Sequence, residues 1–361
     1  MKKNRILMVI GSLDYCNGIT SYAMNYYNNL IKDNFEIDFA VHYEFDTEYS
    51  KQVFKDGNRV YFMGNYSIKS MLGLSKRIYD LLQKNHYDIV HCHILNLAYF
   101  YFKQCKKNHI KCRILHSHAT KNSDNVIKNI RNNIFKHLAF KYATHYFACS
   151  KLAGDYLFGK KSYQVIRNAI QYDRFLFSKD YRESLKEKHA IQDEVCLGFI
   201  GRFTAQKNIF FLIDIAKCLA ERQFKFKLFL IGDGNLYSEI SSKIEQNHLE
   251  KNIIVIESNP DAYQYYSLFD IFVLPSLFEG LPLTGVEAQV AGCTCLFSDK
   301  ITNELAFTKP CSFLPINNPS LWVDKIIMTP IERNNKIPND FNIENETIKM
   351  SSIYRKLMEE N

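Results

Sequence analysis

Short apolar runs alternate with amphipathic stretches along almost the whole chain. In the first half, Arg5 to Ile10, Phe35 to Val41, Tyr87 to Val90, Cys112 to His116 and His145 to Ala148 have strand length and strand-like composition. Between them, Ile19 to Ile31, Ser70 to Lys84, Leu97 to Asn108 and Val126 to Tyr142 carry helical spacing. The second half repeats the alternation. Strands are predicted at Val195–Ile200, Lys227–Ile231, Ile253–Ile256 and Ile271–Leu274, with another running through Phe297. Helices are predicted at Asn208–Glu221, Leu236–Asn247 and Ala262–Leu268, with one more ending at Gly292. Apolar runs separated by helices predict an α/β fold, a parallel sheet with helices on both faces. Each half opens as strand, Gly-bearing loop and helix, at Ile10-Gly11 and at Ile200-Gly201.

The halves divide near Val165 to Phe175, which predicts a first domain over 1–165 and a second over 166–343. The Pro- and Asn-rich segment 334–342 reads as a crossing linker. It leads to a helix over 344–361 that carries Ile348, Ile353 and Leu357 and is expected to return to the first domain. A chain of 361 residues with 47% hydrophobic residues has enough apolar material for two cores. Lys2, Lys3 and Arg5 precede an apolar run, but that run stops at Gly11, too short for a secretory core. No stretch reaches the roughly 18 apolar residues of a membrane span. A cytoplasmic location is the expectation.

The net charge of +8 is unevenly spread. Residues 1–165 hold 24 Lys and Arg against 12 Asp and Glu, and Phe102 to His145 holds ten basic residues against Asp124 alone. Such a field suits a phosphorylated substrate, anionic lipid or nucleic acid, although no aromatic-basic motif supports nucleic acid. Ile127, Ile130, Ile134 and Leu138 recur at helical spacing beside Lys128, Arg131 and Lys136. A peripheral membrane helix and a core-packed helix with a solvated basic face both fit that pattern. The ten cysteines form no Cys-x-x-Cys pair, and buried reduced thiols are expected, Cys293 and Cys295 on one face of a strand. His91-Cys92-His93 has no second ligand cluster of matching spacing, so no metal site is expected.

Four segments carry candidate chemistry. The first runs from Ser276 to Ala288, after the strand Ile271–Leu274. Pro282 suits the first turn of the following helix, which leaves the N–H groups of Leu283 and Thr284 free to bind an anion. Glu279 precedes that helix, and Glu287 lies one turn inside it, where a carboxylate suits a ribose diol. Two acids favouring a helix macrodipole would give the same pattern. The second segment, Gly201 to Asn208, joins strand to helix at the carboxyl end of a sheet. There Arg202 and Lys207 can hold phosphate, or simply be solvated. The third is Asp14 to Thr20, where Gly18 permits close backbone approach. The fourth is Leu115 to Thr120, where His116 and His118 end a strand. Gly232-Asp233-Gly234 is explained as a turn.

The Glu279/Glu287 pair, Gly201-Arg202-Phe203 with Gln206-Lys207-Asn208, and Asn168-Ala169-Ile170 resemble glycosyltransferase family 4. The resemblance extends from Ile6 to about Trp322 and is strongest toward bacterial enzymes of capsular and exopolysaccharide assembly. It implies the GT-B fold, two Rossmann-like domains facing across a cleft. It also implies a retaining hexosyl or N-acetylhexosaminyl transferase that attacks from the front face and uses a nucleotide-diphosphate sugar, UDP by family analogy. Arg202 and Lys207 would bind the diphosphate and stabilise it as it leaves. Glu287 would bind the ribose, and Glu279 with the backbone of Gly280, Leu281, Leu283 and Thr284 would meet the donor sugar or phosphate. Gly18 would approach the phosphate from the first domain, and His118, with His116 as the alternative, would contact the donor sugar. No metal and no cofactor beyond the donor are implied. The acceptor would be a lipid-linked saccharide, met at the inner face of the cell membrane. Where the family usually has Gly-Gly, this chain has Asn17-Gly18. The runner-up readings are a GT-B-fold sugar-nucleotide epimerase and a basic nucleic-acid-binding protein.

Overall fold

A computed structural model describes residues 4–14, 17–43, 46–65, 68–120, 126–308, 311–333 and 341–360, of which 68, 69 and 126–130 are described by backbone alone. It divides into two compact units, Met1–Ala169 with Ile343–Asn361, and Ile170–Asn342. The division falls a few residues beyond the sequence-based boundary, because Ile170 bridges Asn342 and its N–H donates to the Phe341 carbonyl at 2.9 Å. Residues 334–340 of the expected linker lie outside the described residues.

The first unit contains strands β1 (Asn4–Val9), β2 (Phe35–Val41), β3 (Val60–Phe62), β4 (Ile89–Cys92), β5 (Cys112–Ser117), β6 (His145–Ala148) and β7 (Gln164–Val165). Its helices are α1 (Gly18–Leu30), α2 (Glu48–Lys55), α3 (Ile68–Leu72), α4 (Leu74–Lys84), α5 (Leu95–Lys107), α6 (Val126–Phe140) and α7 (Lys151–Phe158). The sheet is parallel, in the order β3-β2-β1-β4-β5-β6-β7. Along β1, Ile6 and Met8 enter one core and Leu7 and Val9 the other. From Ile6 to Val9 the strand is continuously apolar because side chains alternate between two covered faces.

The second unit contains α8 (Lys179–Lys188), β8 (Val195–Ile200), α9 (Ile209–Glu221), β9 (Phe226–Ile231), α10 (Tyr237–Gln246), β10 (Ile253–Ile256) and α11 (Tyr265–Leu268). After these come β11 (Ile271–Leu274), α12 (Leu283–Val290), β12 (Thr294–Ser298), β13 (Cys311–Leu314) and α13 (Pro319–Met328). Its parallel sheet runs β10-β9-β8-β11-β12-β13. In both sheets the strand order reverses beside the first strand, between β1 and β4 and between β8 and β11. A doubly wound fold opens its ligand crevice at such a place.

α14 (Ile343–Glu359) packs into the first unit. Its buried stripe is Ile343, Met350, Tyr354 and Leu357, with Ile353 packed against it, whereas Ile348 is 70% exposed. The carboxylate of Glu346 accepts from the Arg167 N–H at 3.2 Å, and Arg355 pairs with Asp33 at 2.6 Å. The nine described cysteines are free thiols, and Cys293 lies just before β12 rather than within it. Several elements escape the hydrophobic pattern. Gly73 breaks the expected helix over 70–84 into α3 and α4, while α2, β3, α7, α8, β13 and α13 are too short or too polar to show a period.

The centre of β8 tests this packing. A Cβ built on Gly198 would meet the Phe269 ring at 2.1 Å. Gly198→Ala should therefore cost about 1–3 kcal/mol and lower the urea midpoint. An unchanged midpoint would show that the ring does not lie over the strand.

Candidate functional site

The segments after β8 and β11 form one tied structure. The Leu277 N–H donates to the Gln206 carbonyl at 2.8 Å, the Gln206 side chain to the Phe278 carbonyl at 2.9 Å, and the Asn208 side chain to the Pro275 carbonyl at 3.2 Å. Asn208 takes left-handed backbone, φ 56°, between the short turn Ala205–Lys207 and α9, a conformation Asn tolerates better than most residues. These ties bring Lys207 Nζ within 2.6 Å of Glu279 Oε1, with side chains only 15% and 10% exposed. Arg202 is exposed and, among the described residues, has no ion-pair partner.

Gly232 and Gly234 belong to this construction, although their sequence reads as an ordinary turn. A Cβ on Gly232 would lie 2.0 Å from the Gly201 carbonyl oxygen, and one on Gly234 would lie 2.5 Å from that of Phe203. The Asp233 carbonyl accepts from the Phe203 N–H at 2.7 Å. The turn after β9 thus braces the Arg202 loop backbone against backbone. A Gly-x-Gly directly after a strand was the available signal.

α12 starts at Leu283. Pro282 is its N-cap, with extended ψ 119°, rather than a residue of its first turn. The N–H groups of Leu283 and Thr284 belong to the first turn, which has no preceding helical carbonyls to meet. The Thr284 hydroxyl is buried without a partner. Gly280, Leu281 and Leu283 are buried, so at the two leucines only backbone could reach a ligand. Glu287 keeps part of its surface and accepts from the Tyr266 hydroxyl at 2.6 Å. Desolvation by the surrounding protein raises its pKa to about 7, against the opposing pull of the Tyr266 hydrogen bond and of Arg174 and Lys207.

In the first unit, Asn17 caps α1 from an extended backbone, φ −112°, and its side chain accepts from the Ile19 N–H at 3.0 Å. Where the resemblance leads one to expect glycine, Asn17 thus serves as a helix cap. Open space surrounds the position of a Cβ on Gly18, so packing within the chain does not require glycine there. Tyr15 and Cys16 of this loop lie outside the described residues. His118 follows β5, is partly exposed, and bonds through Nε2 to His93 Nδ1 at 2.8 Å. Burial lowers its pKa to about 3, so the ring is neutral. His116 is 2% exposed and bonds through Nδ1 to His91 Nε2 at 3.0 Å. A second histidine pair, His116 and His118, therefore lies beside His91 and His93, on and just after the neighbouring strand.

Two Rossmann-like α/β units, each with polar loops at the carboxyl ends of β-strands, define a nucleotide-binding class of fold. Residues 16–174 match the family model for Glycosyltransferase Family 4, and residues 181–311 match that for Glycosyl transferases group 1. The chain belongs to these glycosyltransferases and is an enzyme of the GT-B type. EpsF of Bacillus subtilis (strain 168), which carries a glycosyltransferase name, is 28% identical over 90% of this chain and 87% of its own. The Escherichia coli UDP-Gal:alpha-D-GlcNAc-diphosphoundecaprenol alpha-1,3-galactosyltransferase is 24% identical over 80% of each chain. The crystal structure of Anabaena Alr3699/HepE in complex with UDP-glucose superposes with a TM-score of 0.76, at 14% identity, over 99% of this chain and 97% of that one.

Glu287 generates a pH prediction. A carboxyl with pKa raised from 4.5 to about 7 holds its proton longer in the folded chain than in the unfolded one. Its contribution to stability should fall by roughly 3 kcal/mol as the pH rises from about 4.5 to about 7. Glu287→Gln should remove that fall, with urea midpoints close to the parent's at acid pH and higher above pH 7. A difference between parent and variant that is independent of pH would refute the assignment.

Proposed function

We propose that the enzyme transfers a hexosyl or N-acetylhexosaminyl group, with retention, from a UDP-sugar to a lipid-linked saccharide of a cell-surface polysaccharide. The observation that carries this reading is the placement of Lys207, Glu279, the start of α12 and Glu287 together at the carboxyl ends of β8 and β11. Cationic side chains and helix N–H groups suit a diphosphate, and a carboxylate one turn into the helix suits a ribose. The UDP-Gal in the name of the Escherichia coli enzyme and the UDP-glucose bound in the Anabaena structure support the carrier. The diphosphoundecaprenol acceptor of the first supports the lipid link.

In this reading Arg202 and Lys207 hold the diphosphate, together with the Leu283 and Thr284 N–H groups. Glu287 holds the ribose, and the backbone of Gly280 and Leu281 meets the donor. Glu279 positions Lys207, and in the first unit Gly18 leaves room for phosphate. His118 contacts the sugar in preference to the more deeply buried His116. The bond from the anomeric carbon to the β-phosphate oxygen breaks. The acceptor oxygen bonds to the same face of that carbon, and its proton passes to the departing phosphate. Preorganised positive charge at that oxygen is the main catalytic contribution. Neither a divalent metal nor a further cofactor is required.

UDP-sugars should raise the melting temperature of the purified chain, GDP- and ADP-sugars should not, and Glu287→Ala should abolish the shift. Lys207→Ala should lower kcat by about 10²–10³-fold, and the anomeric proton of the product, read by NMR, should match the donor's configuration. No shift with any nucleotide sugar in folded protein, or an inverted product, would overturn the reading.

Attachment of the enzyme to the inner face of the membrane through α6 belongs to the same reading. No helix among the described residues is long and apolar enough to cross a membrane. Ile134 is 56% exposed on α6 beside the exposed Arg131, while Lys136 lies over the Phe140 ring at 5.7 Å. Neutralising Lys128, Arg131 and Lys136 together should reduce co-sedimentation with anionic vesicles, at about 1 kcal/mol per charge. Undiminished sedimentation would remove α6 from the account.

A further inference from the structure

Four histidines meet at the ends of two neighbouring strands, His91 on β4 with His93 just after it, and His116 on β5 with His118 just after it. Alternate residues of a strand share a face. The register that pairs His91 with Ile114 and Cys92 with Leu115 brings His93 next to His116, so the two His-x-His pairs lie staggered along one face, His91 bonding His116 and His93 bonding His118. His91, His93 and His116 are all buried, and each offers a ring nitrogen within 4.8 Å of the other two. His93 Nε2 and His116 Nε2 are buried without a partner, and so is the hydroxyl of Tyr22. The Tyr22 ring centroid is 5.5 Å from that of His93 and 5.1 Å from that of His116. A buried polar atom without a partner costs about 1–3 kcal/mol, and His93 Nε2 is the one of these three that an ion held by His91 Nε2 and His116 Nδ1 would meet.

We propose that His91, His93 and His116 form a binding site for one divalent transition-metal ion of the zinc class. Ring nitrogens with no carboxylate among them suit Zn²⁺, Ni²⁺ or Cu²⁺ and not Mg²⁺ or Ca²⁺. Zinc–nitrogen bonds of about 2.0–2.1 Å on a tetrahedron set two ligand nitrogens about 3.3 Å apart. His91 Nε2 and His116 Nδ1, 3.0 Å apart, already stand near that spacing, and the ion takes the place of the proton they share. The outer partners are also present. His91 Nδ1 lies 2.6 Å from the Tyr354 hydroxyl, and His93 Nδ1 lies 2.8 Å from His118 Nε2. Such contacts fix ring orientation and tautomer at metal sites. An ion on His93 Nε2 leaves Nδ1–H to donate to His118, which ties the site to the tautomer of that ring.

The test is titration of the chelator-treated full chain with Co²⁺. One ion per chain is expected, with the intense visible absorption of a four-coordinate site and displacement by Zn²⁺. His93→Gln and His116→Gln should each lose this signal, while His86→Gln, at a surface position with its side chain 70% exposed, should keep it. Tyr354→Phe should weaken binding by about tenfold or more. Circular dichroism establishes folding of each variant. Should neither glutamine variant fold, X-ray absorption at the zinc edge of the loaded parent decides, with three imidazoles expected. No uptake by the folded parent, uptake unchanged in folded variants, or a zinc shell with fewer than two imidazoles would overturn the proposal.

Discussion

The candidate site of the second unit depends on one buried ion pair. Lys207 and Glu279 come from loops that follow different strands, 72 residues apart, and each side chain is largely shielded from water. A charge buried without its partner costs about 3–5 kcal/mol, so neither residue can be there alone. The pairing is possible because β8 and β11 are neighbours where the strand order reverses, which makes their loops emerge side by side. Gln206, Asn208 and Leu277 then hold the two loops in register through hydrogen bonds. The glycines at 232 and 234 let a third loop press against the first.

That arrangement sets the electrostatics a ligand would meet. Lys207 is already neutralised by Glu279, whereas Arg202 stands in solvent. An incoming diphosphate would find the Arg202 guanidinium, the first-turn N–H groups of α12 and the unpartnered Thr284 hydroxyl before it could compete for Lys207. With Glu279 beside it, the lysine is held in place in the absence of ligand, and preorganised charge of this kind needs no reorganisation during reaction. The carboxylate lowers the net positive charge in exchange for fixing its position.

The sheets were legible in the sequence because both faces of each strand are covered. Val195–Ile200 and Ile271–Leu274 are continuous apolar runs that no amphipathic alternative explains. The short edge strands β3 and β13 were not legible, since three or four half-buried residues carry no period. The candidate residues of the second unit were proposed from motif and loop position, but the Lys207–Glu279 contact was not, because it depends on which strands are neighbours. The same holds for the histidines. His91-x-His93 and His116-x-His118 are visible as two separate pairs. Only the register of β4 on β5 makes them one cluster, and Tyr354 reaches His91 from the far end of the chain. α14 was visible as a helix, and of its three named apolar residues Ile353 and Leu357 pack against the core while Ile348 is exposed; Met350 and Tyr354 complete the buried face.

The two carboxylates of the Glu-x7-Glu motif show how far a motif reaches and where three-dimensional environment takes over. Glu279 sits opposite an ammonium group. Glu287 faces the hydroxyl of Tyr266 in a desolvated setting that raises its pKa. Identical side chains with seven residues between them are thus pushed toward different work, one holding a cation in place and the other offering a carboxyl that both donates and accepts near neutral pH. A diol presents both donors and acceptors, and a carboxyl that titrates close to neutrality can match it in either protonation state. The motif spacing puts Glu287 one turn into α12 and leaves Glu279 in the loop before it. The fold around each of them, through Tyr266 on α11 and Lys207 before α9, then gives the two acids their separate characters.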